Sequence, residues 1–347
     1  MADDFDIKLN LGLTLRTWLH SQFFGTPPYP TQSFAGQTII VTGSNVGLGF
    51  EAARHFYRLN CAKLILAVRT VSKGQKAKED IVRSVKHRSD GAEAIEIWPL
   101  DLSSTKSTLA FAERVTSELP RLDAIVENAG IVNPDWVVDE GFEQTVQVNV
   151  INTFLLALAI LPKLTESKQK YPESSPHLEI VSSEAHRFEK FNELKSPDLY
   201  AALNNEKTFS GFGRYSVSKL MEVLFVRELV SRLGAKQPST SPVTVTMVNP
   251  GMCKSEIGRK GNPVIKVVFA LVQLIFARTT EVGSRTLVYG ASAGPESHGE
   301  MMSDGKNQEV EKWIYSETGR RAQKKVFDQT MKILEERKPG IGAAVGL

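Results

Sequence analysis

Apolar runs of five or six residues recur along this 347-residue chain, each closed by a turn signal and followed by a stretch of helical spacing. The first is Thr38-Ile39-Ile40-Val41-Thr42, and further runs at 63–68, 94–99, 122–127, 178–182, 243–248 and 299–303 predict about seven strands. Between them, residues 47–59, 72–87, 104–118, 142–169, 215–233, 279–292 and 308–336 read as helices. Runs that are apolar throughout, rather than at alternate positions, suit strands buried on both faces. Helical crossovers between such strands dictate a parallel sheet with right-handed connections. The expected fold is therefore α/β: one doubly wound parallel sheet with helices on both faces. Asp101, Ser103 and Ser104 open a turn suited to capping the helix at 104–118. Pro/Ser-rich segments at 172–176 and 234–242 read as surface loops. No repeat and no shift in composition divides the chain. It reads as an N-terminal extension over 1–32, one domain over 33–338 and a short tail over 339–347.

Composition acts mainly by exclusion. With 41% apolar and 23% charged residues, the chain has the make-up of an ordinary globular protein. A net charge of +3 and the lack of any RNA- or DNA-binding signature give nucleic acid no footprint. Cys61 and Cys253 suggest no disulfide framework and read as packing residues. The six histidines lack metal-ligand spacing, so no metal is expected. The acidic start, Met1-Ala2-Asp3-Asp4-Phe5-Asp6, is unlike a secretory or transit peptide and makes the cytoplasm the default compartment. Two apolar stretches, 7–24 and 263–277, fall short of the ~20 residues that span a bilayer. They read as core or substrate-lid helices, with peripheral contact at a membrane surface as the rival.

Chemistry enters with a glycine turn, Thr42-Gly43-Ser44-Asn45-Val46-Gly47-Leu48-Gly49, which follows the first strand and opens a helix. Unpaired helix amides and the helix dipole face an anion there. Gly43, Gly47, Leu48 and Gly49 thus form a candidate pyrophosphate site, Asn45 in the same turn could hydrogen-bond the extra phosphate of NADP, and the sheet is Rossmann-type. Arg69 stands 20 residues after Gly49, at the end of the second apolar run. An acid near that position would bind the ribose hydroxyl of NAD, whereas arginine accommodates the 2′-phosphate of NADP, so NADP(H) is the expected cofactor. Far along the chain, Tyr215 and Lys219 are four apart on a helix and share a face. An ammonium beside a phenol, whose pKa is ordinarily ~10, favours the phenolate and yields an acid/base group near neutral pH. Together these features point to cofactor-dependent redox chemistry on a carbonyl or alcohol.

The motifs resemble the short-chain dehydrogenase/reductase family from about Ser33 to Met302. The glycine spacing resembles the compact single-domain branch. Asp101-Leu102, Asn128-Ala129-Gly130, Asn149, Ser183, Tyr215-x-x-x-Lys219 and Asn249-Pro250-Gly251 follow in the family's order. Ala67-Val68-Arg69, Ser182-Ser183-Glu184-Ala185-His186 and Pro250-Gly251-Met252-Cys253-Lys254-Ser255-Glu256 are most similar to retinol dehydrogenase-type members, and fungal secondary-metabolite reductases of that group resemble the overall layout, including the lead Pro27-Pro28-Tyr29-Pro30. The resemblance implies a catalytic set of Asn149, Ser183, Tyr215 and Lys219. Tyr215 would pass the proton, and Ser183, with Ser182 as its competitor, would bind the carbonyl oxygen and stabilise its charge. Lys219 would also hold the nicotinamide ribose, and Asn149 would position a water for proton relay. On the cofactor side, Asp101 would reach the adenine, Asn128 and Gly130 would line the adenosine ribose, and Ser255 would contact the carboxamide. Subunit pairing through 142–169 and 215–233, as a homodimer or homotetramer, is a further implication.

Two departures stand out. Glu127 occupies the first position of the family's Asn-Asn-Ala-Gly pattern, and 32 residues separate Ser183 from Tyr215. The resulting insertion, 184–214, carries His186, Phe188, Phe191, Tyr200, Phe209 and Phe212. Facing a lid at 252–277, these aromatics would wall a pocket for a bulky apolar substrate; equally, they would anchor a long loop. The expected activity is NADP(H)-dependent interconversion of a carbonyl and an alcohol on such a substrate. The rivals are a membrane-surface retinol- or lipid-type dehydrogenase and a catalytically silent nucleotide-binding protein.

Overall fold

The computed structural model describes residues 5–88, 91–234, 241–254 and 273–347. Its sheet contains β1 (Thr38–Thr42), β2 (Lys63–Val68), β3 (Ile95–Pro99) and β4 (Ala124–Glu127). After a small hairpin, β5 (Val138–Asp139) with β6 (Phe142–Glu143), it continues with β7 (His177–Val181), β8 (Thr244–Asn249), β9 (Met301–Ser303) and β10 (Lys306–Gln308). The order across the sheet is β3-β2-β1-β4-β7-β8-β9-β10. Every pairing is parallel except β9 with β10. All seven expected strands are present. The eighth, β10, returns from β9 through Asp304-Gly305, both at positive φ (53° and 75°), the backbone of a tight hairpin turn. Its residues Lys306-Asn307-Gln308 carry no apolar signal, which hides the strand from the sequence.

Helices cover both faces. On one side α2 (Gly47–Arg58), α3 (Val71–Ser84) and α9 (Thr280–Gly290) enclose Phe34, Phe56, Leu64, Val126 and Leu287. On the other, α4 (Thr105–Glu118), α6 (Thr153–Lys170), α8 (Gly211–Arg232) and α10 (Glu317–Arg337) enclose a core in which Phe154, Phe225 and Phe327 stack ring on ring at 3.9 and 4.8 Å. The helix expected over 142–169 begins later, because β6 takes Phe142 and Glu143. The Glu143 carboxylate then caps the amides of Thr145 and Val146 at the start of α5 (Gln144–Val146). A wider π turn, Gln147–Asn152, joins α5 to α6. The continuous helix Gln144–Lys170 is long and apolar enough to cross a membrane, yet 89% of its most apolar window is buried inside the protein, so it is a core helix. Along α8, Ser216 to Val226 are buried, with α10 packed beside them. The chain's own C-terminal helix thus packs on α8, one of the two segments through which subunit pairing was expected.

The N-terminal extension forms α1 (Leu11–Phe24), capped by Asn10 and fastened through its polar side chains. Thr14 donates to Glu311 at 2.9 Å, and Ser21 to Asp304 at 2.6 Å. At the other end of the chain, Ile341 is buried in the larger core and Gly340 donates its amide to Glu335 at 2.8 Å.

One buried group sets a pH limit on this fold. Glu179, in the middle of β7, is fully buried with no hydrogen-bond partner for either carboxylate oxygen among the described residues, and α9 passes close above it at Gly290. Burial pushes its pKa well above the usual carboxylate range. The folded chain thus keeps a proton that the unfolded chain releases above ~4.3, and stability falls as pH rises from there toward the folded value. Glu179→Gln keeps the shape and removes the titration. Its melting temperature should exceed that of the wild type at about pH 8, with the gap closing toward about pH 5. Parallel melting curves across that range would show that Glu179 carries no such proton.

Candidate active site

The connections leaving β1 and β4 run in opposite directions, so the C-terminal ends of these neighbours open a crevice at the switch point of the sheet. The glycine turn lies there. Gly43 (φ 65°) and Gly47 (φ 66°) both occupy the left-handed region, and the Gly43 amide donates to Ala67 O on β2 at 2.8 Å. Asn128, just past β4, donates to Thr42 O at 2.8 Å, while the Ala129 amide donates to Thr42 Oγ1 at 2.9 Å. A Cβ at Gly49 would sit 2.5 Å from Asn128 Nδ2 and 2.7 Å from Gly43 O, so no larger residue fits beneath the turn.

Three features of this turn suit a diphosphate. Helix α2 begins with Val46 as its cap residue and receives no side-chain capping bond, which leaves the leading amides at Gly47, Leu48 and Gly49 oriented toward an anion. A Cβ added at Gly47 would meet no protein atom within 4 Å, so the space in front of those amides is open. The Ser44 hydroxyl is buried without a partner among the described residues. Asn45 is half-buried at the bend, and Leu48 points toward α9, where its Cδ2 approaches Gly283. Arg69 is exposed directly after β2, two residues from the Ala67 carbonyl that anchors Gly43. Asp101, two residues beyond the end of β3, accepts from the Ser103 amide at 3.0 Å and the Ser103 hydroxyl at 2.8 Å, shaping the turn before Ser104 caps α4. Ser255 and most of the expected 252–277 lid lie outside the described residues.

The acid/base candidates converge one strand further along. Asn149 lies within the π turn, where its Oδ1 accepts from the Ile131 amide at 2.9 Å and its Nδ2 donates to Ile131 O at 2.9 Å. The same Nδ2 donates to Ser218 Oγ on α8 at 3.1 Å. Gly130 lies between Asn149 and Lys219: a Cβ there would be 3.2 Å from Asn149 Oδ1 and 3.9 Å from Lys219 Nζ. Lys219 Nζ is 5.7 Å from the centre of the half-buried Tyr215 ring one turn earlier. Ser183 follows β7 and accepts from the Ala185 amide at 3.1 Å, capping a short turn, Glu184–Arg187, that packs against α8. Ser182 is buried and donates instead to Lys219 O at 3.3 Å, which makes Ser183 the accessible member of the pair.

Two carboxylates behind the lysine were not assigned from sequence. Glu222, one turn beyond Lys219, accepts from Nζ at 2.8 Å, and the same ammonium donates to Val181 O at 2.9 Å. Burial works to lower the Lys219 pKa, but the Glu222 and Tyr215 charges outweigh it and keep the lysine cationic. Burial also raises Glu222, to about 7, against the pull of Lys219. Glu127 lies nearby at the end of β4, fully buried with both oxygens unpartnered. Desolvation first, and then the Glu222 charge, push it well above the usual range. The position it fills thus holds a carboxyl biased toward its neutral form rather than an amide. The i, i+3 spacing of Lys219 and Glu222 was a legible signal for the pair, whereas the approach of Glu127 to Glu222 depends on the tertiary fold.

The insertion divides between anchoring and lining. His186, Phe191 and Tyr200 are buried, and Tyr200 Oη lies 2.7 Å from Thr330 Oγ1 on α10. Phe188 and Phe212 are exposed, and Phe209 meets Trp136 edge-on at 5.3 Å. His186 Nδ1 lies 2.7 Å from Ser183 O, and burial drives its pKa down to about 3, so it stays neutral beside the candidate serine. Asn249 accepts from the Glu184 and Gly251 amides at 3.2 and 3.1 Å, tying the end of β8 to the serine turn. Burial pushes the Cys253 thiol up to about 12, consistent with a packing residue.

A doubly wound parallel sheet with an open glycine cradle at its switch point, and a Tyr–Lys pair beside it, defines a dinucleotide-dependent oxidoreductase. The family model described as short chain dehydrogenase matches residues 37–170. The short chain dehydrogenase/reductase dmxR8 of Cryptosporiopsis sp. is 42% identical over 328 residues, spanning 93% of this chain and 98% of that protein. The short-chain dehydrogenase anuD of Penicillium roqueforti is 39% identical, spanning 94% and 84% respectively. The chain therefore belongs to the short-chain dehydrogenase/reductase family, whose members use a nicotinamide cofactor. Among solved structures, an uncharacterized protein from Mycobacterium paratuberculosis is 26% identical and covers 87% of this chain and 96% of its own, with a TM-score of 0.61. A short-chain type dehydrogenase/reductase from Mycobacterium ulcerans, 20% identical and covering 84% and 98%, shares the fold with a TM-score of 0.56.

Proposed function

We propose that this protein is an NADP(H)-dependent ketoreductase that interconverts a carbonyl and an alcohol on a bulky apolar small molecule, as a tailoring step in fungal secondary metabolism. The cytoplasm is the proposed compartment. The observation that carries the reading is the meeting of Asn149 and Lys219 on either side of Gly130, with the lysine ammonium 5.7 Å from the Tyr215 ring. When bound, the nicotinamide cofactor donates or accepts a hydride. Everything else falls to the chain. The leading amides of α2 hold the diphosphate, Arg69 meets the 2′-phosphate, and Lys219 holds the ribose. Asp101, Asn128, Gly130 and Ser255 complete the cofactor site in this reading.

For the proton, Ser183 already accepts from the Ala185 amide, so its own hydroxyl is free to donate to the substrate oxygen. Tyr215 gives its proton to the alkoxide that develops there, and the nearby ammonium favours the phenolate left behind. Asn149 holds the wide turn open beside Lys219, where a relay water would sit. Exposed Phe188 and Phe212, with Phe209 on Trp136, supply an apolar wall for the substrate. The two fungal relatives, named as dehydrogenases or reductases, support the metabolic setting.

Arg69→Glu is the direct test of the cofactor assignment. Hydrogen bonds to a charged group contribute about 1.5–3 kcal/mol, so kcat/KM for NADPH should fall roughly 10- to 100-fold with little change for NADH. Initial rates with both coenzymes across a panel of apolar ketones and aldehydes measure it. Equal losses for both would withdraw Arg69 from the phosphate. Tight NADPH binding with no turnover of any carbonyl would favour the silent nucleotide-binding alternative.

A further inference from the structure

Helix α1 is attached back to front. Its buried residues are the polar Thr14 and Ser21, bonded to Glu311 and Asp304, and its outward face is apolar. Leu11, Leu15, Leu19 and Phe23 recur every fourth residue and share one side of the helix. Leu11, Leu15 and Phe23 are 55%, 50% and 53% exposed, and Phe24 beside them is 78% exposed. A second segment extends the surface. Phe276 packs against Trp18 and Phe23 with ring centres 5.3 and 5.5 Å apart, and its neighbours Leu274 and Ile275 are 70% and 62% exposed. Exposed apolar residues scattered singly need no explanation, but a contiguous set on two adjoining elements does.

Charge on the page selects the occupant. Helix α1 itself carries Arg16 and no aspartate or glutamate, and Lys8 ahead of it pairs with the exposed Asp6 at 3.9 Å. Arg16 and Lys254 are exposed beside the patch. Glu311 and Asp304, the carboxylates that Thr14 and Ser21 bond, lie behind the helix and are paired with Arg187 and Arg278. An apolar stripe with cations at its edge and no exposed acid of its own suits the anionic surface of a bilayer.

Position gives the surface a use. Gln22 of α1 donates to Met252 O at 3.1 Å and accepts from the Met252 amide at 2.9 Å, directly after the Asn249-Pro250-Gly251 loop. The same helix packs on the Glu184–Arg187 turn that Ser183 caps. We infer that α1 and residues 274–276 form a reversible docking face for an anionic lipid surface, which presents the mouth of the active site to apolar molecules dissolved in the membrane.

Flotation of the full-length protein with lipid vesicles tests this without any assay of activity. Vesicles of phosphatidylcholine alone would be compared with vesicles containing roughly a third phosphatidylserine. The wild type should float with the anionic vesicles at several times its recovery with the neutral ones, and high salt should release part of it. Leu15→Glu/Phe23→Glu should abolish flotation, and Arg16→Glu should reduce it mainly at low salt. Both variants alter exposed positions, so an unchanged melting temperature would certify their folding. Failure of the wild type to float with either vesicle overturns the proposal. It also fails if light scattering reveals a dimer that the double substitution splits while vesicles bind neither form, since the face then belongs to a second copy. Protection of residues 11–24 from hydrogen exchange without vesicle binding would assign the face to another part of the chain and likewise overturn it.

Discussion

Tyr215→Phe should lower kcat by about 10²–10⁴-fold while leaving dinucleotide affinity and melting temperature close to those of the wild type. The substitution removes one oxygen from a half-buried ring, and no described group hydrogen-bonds that hydroxyl, so the fold does not depend on it. In the proposed mechanism, what is lost is the group that delivers the proton to the substrate oxygen. Stopped-flow or steady-state assays with NADPH and a responsive ketone, beside a dinucleotide titration, separate chemistry from binding. A variant that turns over at the wild-type rate would remove Tyr215 from the reaction. An equal loss in binding and rate would make it a cofactor contact instead.

A methyl group at either of two glycines should weaken NADPH binding tenfold or more, for different reasons. Gly49→Ala forces a Cβ to 2.5 Å from Asn128 Nδ2 and 2.7 Å from the Gly43 carbonyl, so the brace between β1 and β4 must shift. Overpacking of this kind costs about 1–3 kcal/mol, so both stability and binding should fall. Gly47→Ala meets no protein atom, and its φ of 66° adds local strain of about 1–2 kcal/mol. The new methyl would instead stand in the open cradle where the diphosphate is expected. Calorimetric titration with NADPH and thermal melting of both variants measure the two effects. Wild-type affinity in Gly47→Ala would place the anion elsewhere.

Much of this was legible from single segments. The apolar runs marked seven strands, because parallel strands buried on both faces must be apolar throughout. The glycine turn announced its own chemistry, since positive φ and the close approach of Asn128 are demands that glycine meets. Asn149 was singled out by the family resemblance rather than by its own segment, and it lies within the π turn. The short strand β10 escaped because its side chains are polar and its place is set by the turn at Asp304-Gly305. The late start of α5 escaped because Glu143 reads equally as a helix residue and as a cap.

Local pattern alone therefore determined the seven apolar strands, the helices between them, the glycine turn and the Tyr215–Lys219 face, since each depends on residues a few positions apart. Only the tertiary structure decided that Glu222 and Glu127 lie behind the lysine and that Ser183 rather than Ser182 is accessible. It alone showed that α10 packs on α8 and that α1 turns its leucines outward. Those features depend on which surfaces meet across long sequence separations, and the burial and charge that they create do not exist until the chain has folded.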